Sequence, residues 1–175
     1  MASLRKGSCY STISRAYTRK SKVKGKAYIK TMPSHKIVRF DMGDVKSPFE
    51  YEVGLVSATD VQVRNNAIES ARQVVNRNLQ KPLGNKNYHF QIRAYPHHAL
   101  REKKQLTGAG ADRMSQGMSQ AFGRVTNTAA QLRKGKTLFS IFVNQPHVEA
   151  ARESLRKAKP RLPGSYRIVV KKITN

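Results

Sequence analysis

Two periodicities divide the chain. Residues 37–40, Ile-Val-Arg-Phe, form a short apolar-rich run that Asp41-Met42-Gly43-Asp44 closes as a turn, which predicts a strand. A second strand is predicted over 51–56, Tyr-Glu-Val-Gly-Leu-Val. The period then becomes helical. Ser57-Ala58-Thr59-Asp60 offers a helix start, with Thr59 and Gln62 at capping-box spacing and Asp60 well placed for the positive end of the dipole. Val61, Ile68, Ala71, Val75 and Leu79 follow on one face, and Pro82 and Gly84 end the helix. Its Arg64, Arg72 and Arg77 read as solvated cations.

Period two returns at 88–95. Tyr88, Phe90, Ile92 and Ala94 share one face, His89, Gln91, Arg93 and Tyr95 the other, and Pro96 stops the strand. Such a strand is half buried, with Arg93 on the face left for a partner. Residues 137–143, Thr-Leu-Phe-Ser-Ile-Phe-Val, are nearly all apolar and predict a central strand. Pro146 introduces a second helix, whose Val148, Ala151, Leu155 and Ala158 recur at helical spacing. Pro160, Pro163 and Gly164 make a turn before a last strand at Ile168-Val169-Val170. The order β-β-α-β, a long insertion, then β-α-β predicts an α+β two-layer sandwich, with two helices packed on one mixed, mainly antiparallel sheet.

Two stretches belong to neither pattern. Residues 1–34 read as a basic N-terminal arm in front of a single domain over 35–175. The arm holds Arg15, Arg19, Lys20, Lys22, Lys24, Lys26 and Lys30 interleaved with Tyr10, Tyr17 and Tyr28. Like charges without acids keep such a segment extended until counter-charge arrives. Residues 97–136 read as a long loop insertion. A loop of that length inside a compact domain is uncommon and usually functional. Its glycines, among them Gly108 and Gly110, allow close backbone approach, while Arg101, Lys103, Lys104, Arg113 and Arg124 supply phosphate contacts.

Charge then changes the picture from a generic α+β chain to a binder of polyanions. The 175 residues carry 34 Lys and Arg against 10 Asp and Glu, a formal net charge of +24. Residues 1–40 hold 11 basic and no acidic residues, whereas 41–92 hold 6 of each. Solubility alone does not require this, because self-repulsion opposes compaction. Segregated basic tracts are the footprint of a nucleic-acid partner, with Lys and Arg on phosphates and Tyr rings stacked on bases or riboses.

Other classes find little support. No apolar stretch is long enough to span a membrane, and the basic N-terminus has no apolar run behind it to act as a secretory signal. The single Cys9 cannot form an internal disulfide, which fits a reducing cytosol. Gly108-x-Gly110 lacks the third glycine of a dinucleotide fingerprint and the Gly-Lys-Ser/Thr end of a P-loop. His97 and His98 are adjacent and point to opposite faces of an extended chain, so they do not converge with His89 or Asp112 on a metal. The expectation is therefore no catalytic residue, no metal, no cofactor and no small-molecule substrate.

Within the insertion lies a longer signature. Gly108-Ala109-Gly110-Ala111-Asp112-Arg113-Met114, followed by Gly117-Met118 and Ala121-Phe122-Gly123, resembles the hallmark of ribosomal large-subunit protein ten-e, the archaeal and eukaryotic branch of the universal large-subunit protein sixteen family. Cys9-Tyr10, Tyr95-Pro96-His97-His98, Gly135-Lys136, Lys157-Ala158-Lys159 and Pro163-Gly164 match in the expected order along almost the whole chain. The start, Arg5-Lys6-Gly7-Ser8-Cys9-Tyr10-Ser11, departs from the family's Arg-Pro-x-Arg-Cys-Tyr-Arg.

The resemblance implies a cytoplasmic structural constituent of the large ribosomal subunit. It implies binding to large-subunit rRNA beside the aminoacyl-tRNA site, near the bound tRNA, with the loop at about 101–122 directed towards the peptidyl-transferase centre. Neighbouring ribosomal proteins and assembly factors are implied partners, since the family joins the subunit late in assembly. The RNA-binding residues expected on these combined grounds are, in the arm, Arg5, Lys6, Tyr10, Arg15, Tyr17, Arg19, Lys20, Lys22, Lys24 and Lys26. In the core and loop they are Arg93, His97, His98, Arg101, Lys103, Lys104, Gly108, Gly110, Asp112, Arg113, Gly117, Phe122, Gly123, Arg124 and Lys136. The alternative is a free-standing RNA- or DNA-binding architectural or regulatory protein, in which the glycine-rich loop would have no task.

Overall fold

Short runs rich in β-branched and aromatic residues form most of the strands. The computed structural model describes residues 5–13, 18, 21–27, 29–103, 108–109 and 123–173. The elements in chain order are β1 (Asp41–Gly43), β2 (Tyr51–Ser57), β3 (Val61–Arg64), α1 (Asn65–Leu83), β4 (His89–Ile92), β5 (His98–Glu102), β6 (Arg124–Leu132), β7 (Thr137–Val143), α2 (Val148–Ala158) and β8 (Tyr166–Lys172). They build an α+β architecture with two helices packed on antiparallel sheet, as expected, but the strands divide between two sheets. One has the order β1-β4-β7-β2-β8, the other β3-β6-β5.

The run at 137–143 takes the central place expected of it. In register, β7 sets Phe139 between Leu55 and Ile92, and Ile141 between Val53 and Phe90. These buried side chains join Ile68, Ala71, Val75 and Leu79 of α1 and Ala151, Leu155 and Ala158 of α2 in one core. Each fully buried large apolar side chain of this kind contributes about 1.5–3 kcal/mol. The other face of the sheet is polar. There the Ser140 hydroxyl donates to Glu52 Oε1 at 2.7 Å, and Arg93 Nε donates to the Ser140 oxygen at 3.2 Å.

Three expectations are corrected. Residues 37–40 are not a strand. Ile37 is buried, but the Val38 amide donates to Glu69 Oε2 at 3.4 Å, and only the Phe40 carbonyl reaches β4, accepting from Ile92 N at 2.8 Å. The pairing starts one residue later, within the expected turn, as Met42 faces Phe90. Second, the first helix begins at Asn65 and not near Thr59. Val61-Gln62-Val63-Arg64 pairs with β6, Val61 opposite Leu132 and Val63 opposite Ala130. Asp60 makes no helix start. Its carboxylate accepts from Lys134 N at 2.7 Å and from Arg133 at 2.9 Å, fixing the neighbouring turn. Third, the insertion at 97–136 holds two strands, since β5 and β6 lie within it and pair from His98 opposite Ala129 to Glu102 opposite Arg124.

Of the three arginines expected on the helix, Arg64 lies at the end of β3, and it and Arg72 are more engaged than expected. Arg72 makes a bidentate pair with Glu69, at 2.8 and 2.6 Å, and Arg64 binds the N-terminal segment. Burial works against the Glu69 charge, but the bonds from Arg72 and Gln73 outweigh it and hold this carboxyl below its ordinary range. Arg77 is exposed.

Gly43 sits at φ +84°, where an added Cβ would lie 2.1 Å from the Tyr88 carbonyl oxygen. Gly84, at φ +68°, ends α1 with nothing within 4 Å. Gly43→Ala should therefore lower unfolding free energy by about 3 kcal/mol or more, against about 1–2 kcal/mol for Gly84→Ala, in urea titrations. Equal losses would exclude the close approach. A second prediction concerns His98, read from the sequence as an RNA contact, which instead points inward on β5 with 5% exposure. Burial first, and then the charge of His97, push its imidazole below the ordinary value. The unfolded chain then binds the proton better, so this stability is present above pH about 6.5 and is lost on acidification. The His98 contribution to unfolding free energy should therefore fall between pH about 7.5 and 5.5 in urea titrations. The His98→Gln variant should show a flatter profile, whatever its absolute stability.

Candidate nucleic-acid interface

The N-terminal segment docks on the three-stranded sheet through backbone groups that any residue carries, placed by one buried side chain. Gln62, on β3, donates from its amide N–H to Ser11 O and from Nε2 to Tyr10 O, both at 2.8 Å. Its Oε1 accepts from Gln131 Nε2 of β6 at 3.1 Å. Arg64 adds a bond to the Arg5 carbonyl at 3.1 Å and lies over the Tyr10 ring, 5.6 Å from its centroid.

Tyr10 is thus committed within the chain. Its hydroxyl donates to Glu102 Oε1 at 2.6 Å, bridging the arm to the end of β5. Burial and then this bond push the phenol above its ordinary pKa. Arg5 and Lys6 remain exposed beside this anchor. Lys24–Lys26 forms a 3-10 turn, and Lys22, Lys24 and Lys26 are exposed with no acid near them in sequence. Ile29 is buried, so the basic segment carries an apolar anchor of its own.

Pairing of β5 with β6 brings Glu102 opposite Arg124, so Lys103 and Gly123 leave the sheet side by side. Arg101 Nη1 donates to Gly123 O at 3.0 Å, and Gly123 holds φ +93°. A groove of about 560 Å³ runs along this root, lined by Lys30, Thr31, Pro33, Arg101, Gly123, Arg124 and Val125. Three cations from the arm, β5 and β6 therefore share one concavity. Gly108 is exposed at φ +128°. Arg15, Tyr17, Arg19, Lys20, Lys104, Gly110, Asp112, Arg113, Gly117 and Phe122 lie outside the described residues.

The remaining sequence-derived candidates scatter. Arg93 was expected to face a partner. It is exposed, and its guanidinium also binds Ser140, lies 3.5 Å from Glu52 and sits over Phe142. His97 is exposed, with Nδ1 3.1 Å from the Tyr95 carbonyl. Lys136 is exposed in the turn before β7, and His89 lies against Asp41 at 3.2 Å. Lys171 and Lys172, outside the sequence-derived set, are also exposed at the end of β8. No group of three metal-ligating side chains forms among the described residues, and none of their helices is long and apolar enough to cross a membrane.

This arrangement, a folded α+β body with cations gathered at the root of a glycine-rich insertion, coincides with a family match over nearly the same span. The family model described as ribosomal protein L16p/L10e matches residues 13–169. Among similar proteins is the large ribosomal subunit protein uL16 of Methanospirillum hungatei, 46% identical over 156 residues, covering 89% of this chain and 88% of that protein. The uL16 of Staphylothermus marinus is 43% identical over 169 residues, 96% of this chain and 94% of that protein. That of Methanococcus maripaludis is 42% identical over 170 residues, 97% and 95% respectively. With the match running from the arm into β8, the chain belongs to the ribosomal protein L16p/L10e family.

Proposed function

We propose that this large-subunit ribosomal protein binds large-subunit rRNA through one surface formed by the arm and the root of the 103–123 segment. The observation that carries the reading is the Tyr10–Glu102 bond, which joins positions 92 residues apart. It sets two basic stretches next to each other, so their cations act as one phosphate-binding field instead of two weak ones. Residues 1–34 serve as the arm and 35–175 as the folded rRNA-binding domain. The glycine-rich segment extends from the paired ends of β5 and β6 towards the peptidyl-transferase centre, beside the aminoacyl-tRNA site. The cytoplasmic large subunit is where the protein works, with neighbouring ribosomal proteins and late assembly factors as partners. Its part is to position and brace RNA, and the reading gives it no catalytic step.

Sucrose-gradient fractionation of native lysate tests the assignment. The chain should co-migrate with large subunits and whole ribosomes in near-stoichiometric amount; a chain at the top of the gradient, or following DNA, would refute it. Purified protein binding an rRNA fragment should lose about 10³–10⁵ in affinity between about 50 and 200 mM salt if six to ten cations meet phosphates. Lys24→Glu with Lys26→Glu should reduce the slope of log K on log salt by about 2. A flat titration would contradict phosphate-dominated binding.

The anchor itself is also testable. Tyr10→Phe removes the hydroxyl that Glu102 accepts, and a bond of this kind is worth about 1–2 kcal/mol. Trypsin cleavage after Arg5 and Lys6, followed by mass spectrometry, should accelerate about 5- to 30-fold. Unchanged cleavage would mean that Gln62 and Arg64 hold the arm without Tyr10.

A further inference from the structure

Away from the arm and the loop root, three rings meet at the surface. Phe40 and Tyr95 stack at 5.7 Å between centroids with 23° between planes. His35 stands edge-on to both, at 5.7 Å from Phe40 and 5.3 Å from Tyr95. Tyr95 as a residue is 57% exposed, so its packing on Phe40 leaves much of it open. His35 takes part as a ring, since its Nδ1 is buried with no hydrogen-bond partner.

The cluster is held rigidly from behind. The residue before a proline is confined to extended backbone, and Tyr95 precedes the buried Pro96. His97 Nδ1 lies 3.1 Å from the Tyr95 carbonyl, which fixes the next turn of chain. On the other side, Phe40 O accepts from Ile92 N and the Val38 amide donates to Glu69. An aromatic face held this way loses little entropy when a second planar group settles on it.

Its surroundings select the kind of planar group. Lys36, Arg39 and His97 are exposed around it, and neither 29–40 nor 93–101 contains an acidic residue. Three carboxylates stand near it, and each has a partner within the chain: Asp41, next to Phe40, lies against His89, Glu69 pairs with Arg72 and Glu52 with Arg93. A rigid ring face flanked by cations suits a base with its phosphates, because stacking is tolerant of base identity and the cations take the backbone. A protein aromatic would leave those cations without counter-charge.

We infer that Tyr95, backed by Phe40 and edged by His35, is a stacking platform for one unpaired base of the bound RNA. This rests on the RNA-binding reading above and adds a requirement to it, namely that the RNA presents an unstacked nucleotide here. A base within a continuous duplex keeps both faces occupied and cannot use the platform.

The test uses the full chain and two labelled probes, a single-stranded oligouridylate of about 12 nucleotides and an RNA duplex of similar charge. Tyr95→Ala and Tyr95→Leu should weaken single-strand binding by about 5- to 150-fold, with the salt slope unchanged. Duplex binding should stay as in the wild type, and Tyr95→Phe should match the wild type on both. Tyr95→Leu retains an apolar contact for Phe40, and an unaltered melting temperature in that variant separates lost stacking from lost packing. Unchanged single-strand affinity in both variants overturns the platform while leaving the RNA-binding reading intact. So does an equal loss on both probes with a reduced salt slope, which would mark a phosphate contact. Wild-type protein that binds neither probe would instead remove the RNA-binding reading, and the platform with it.

Discussion

The pairing of β3 with β6 is the constraint on which the rest of the molecule depends. Four residues, Val61 to Arg64, meet Leu132 to Ala129 across almost 70 positions of sequence. That contact turns the chain out of the five-stranded sheet and into the second one, and it sets where α1 starts. It gives β6 a partner on one side while β5 occupies the other, so the ends of the insertion are held together. The same strand carries Gln62, whose three hydrogen bonds tie β6 and the arm to one buried amide. A buried amide left half-satisfied costs about 1–3 kcal/mol, which makes arm docking and sheet formation mutually dependent.

Charge is handled by the same economy of placement. Most of the ten carboxylates are spent locally: Glu69 on Arg72, Glu52 on Arg93, Asp60 on Arg133, Glu149 on Arg152 and Glu153 on Lys157. Glu102 goes to Tyr10, and Asp44 accepts from Ser47. The exposed pairs among these, on Asp60, Glu149 and Glu153, are worth about 0–1 kcal/mol each, so they shape the surface more than they stabilise it. Their effect is to leave Glu102, held by the neutral Tyr10 hydroxyl, as the one carboxylate among the described residues of the arm and loop root, against Lys30, Arg101, Lys103 and Arg124. The excess positive charge there favours an external polyanion as counter-charge.

The sequence made legible whatever depends on neighbours along the chain. The face Ile68, Ala71, Val75 and Leu79 reads as helix because its apolar spacing is local, and 137–143 reads as a central strand because it is apolar almost throughout. Val61-Gln62-Val63-Arg64 fits either period, and only β6 decides between them. β6 itself, Arg-Val-Thr-Asn-Thr-Ala-Ala-Gln-Leu, has few large apolar residues and an exposed first half, so it resembled loop. The site divides the same way. That the arm and insertion were basic was plain from composition, whereas the bonds of Tyr10 to Glu102 and of Arg93 to Ser140 are long-range and had no local signal. Tyr95 could be placed on an exposed strand face, but its stack on Phe40 could not.

Cations and rings then divide the labour of recognition. Phosphate contacts hold any RNA strand and fix its approach, but they carry no information about which nucleotides are unpaired. A ring of fixed orientation has the opposite character, because it adds little to long-range attraction and responds strongly to whether a base is free to stack. In this molecule the two kinds of contact sit on different supports. The cations Lys30, Arg101 and Arg124 line a groove between the arm and the roots of β5 and β6, while Tyr95 stacks on Phe40 with His35 edge-on to it. Electrostatics can therefore bring the chain to its RNA in many orientations, and the rigid aromatic face favours the one in which an unstacked base lies opposite it.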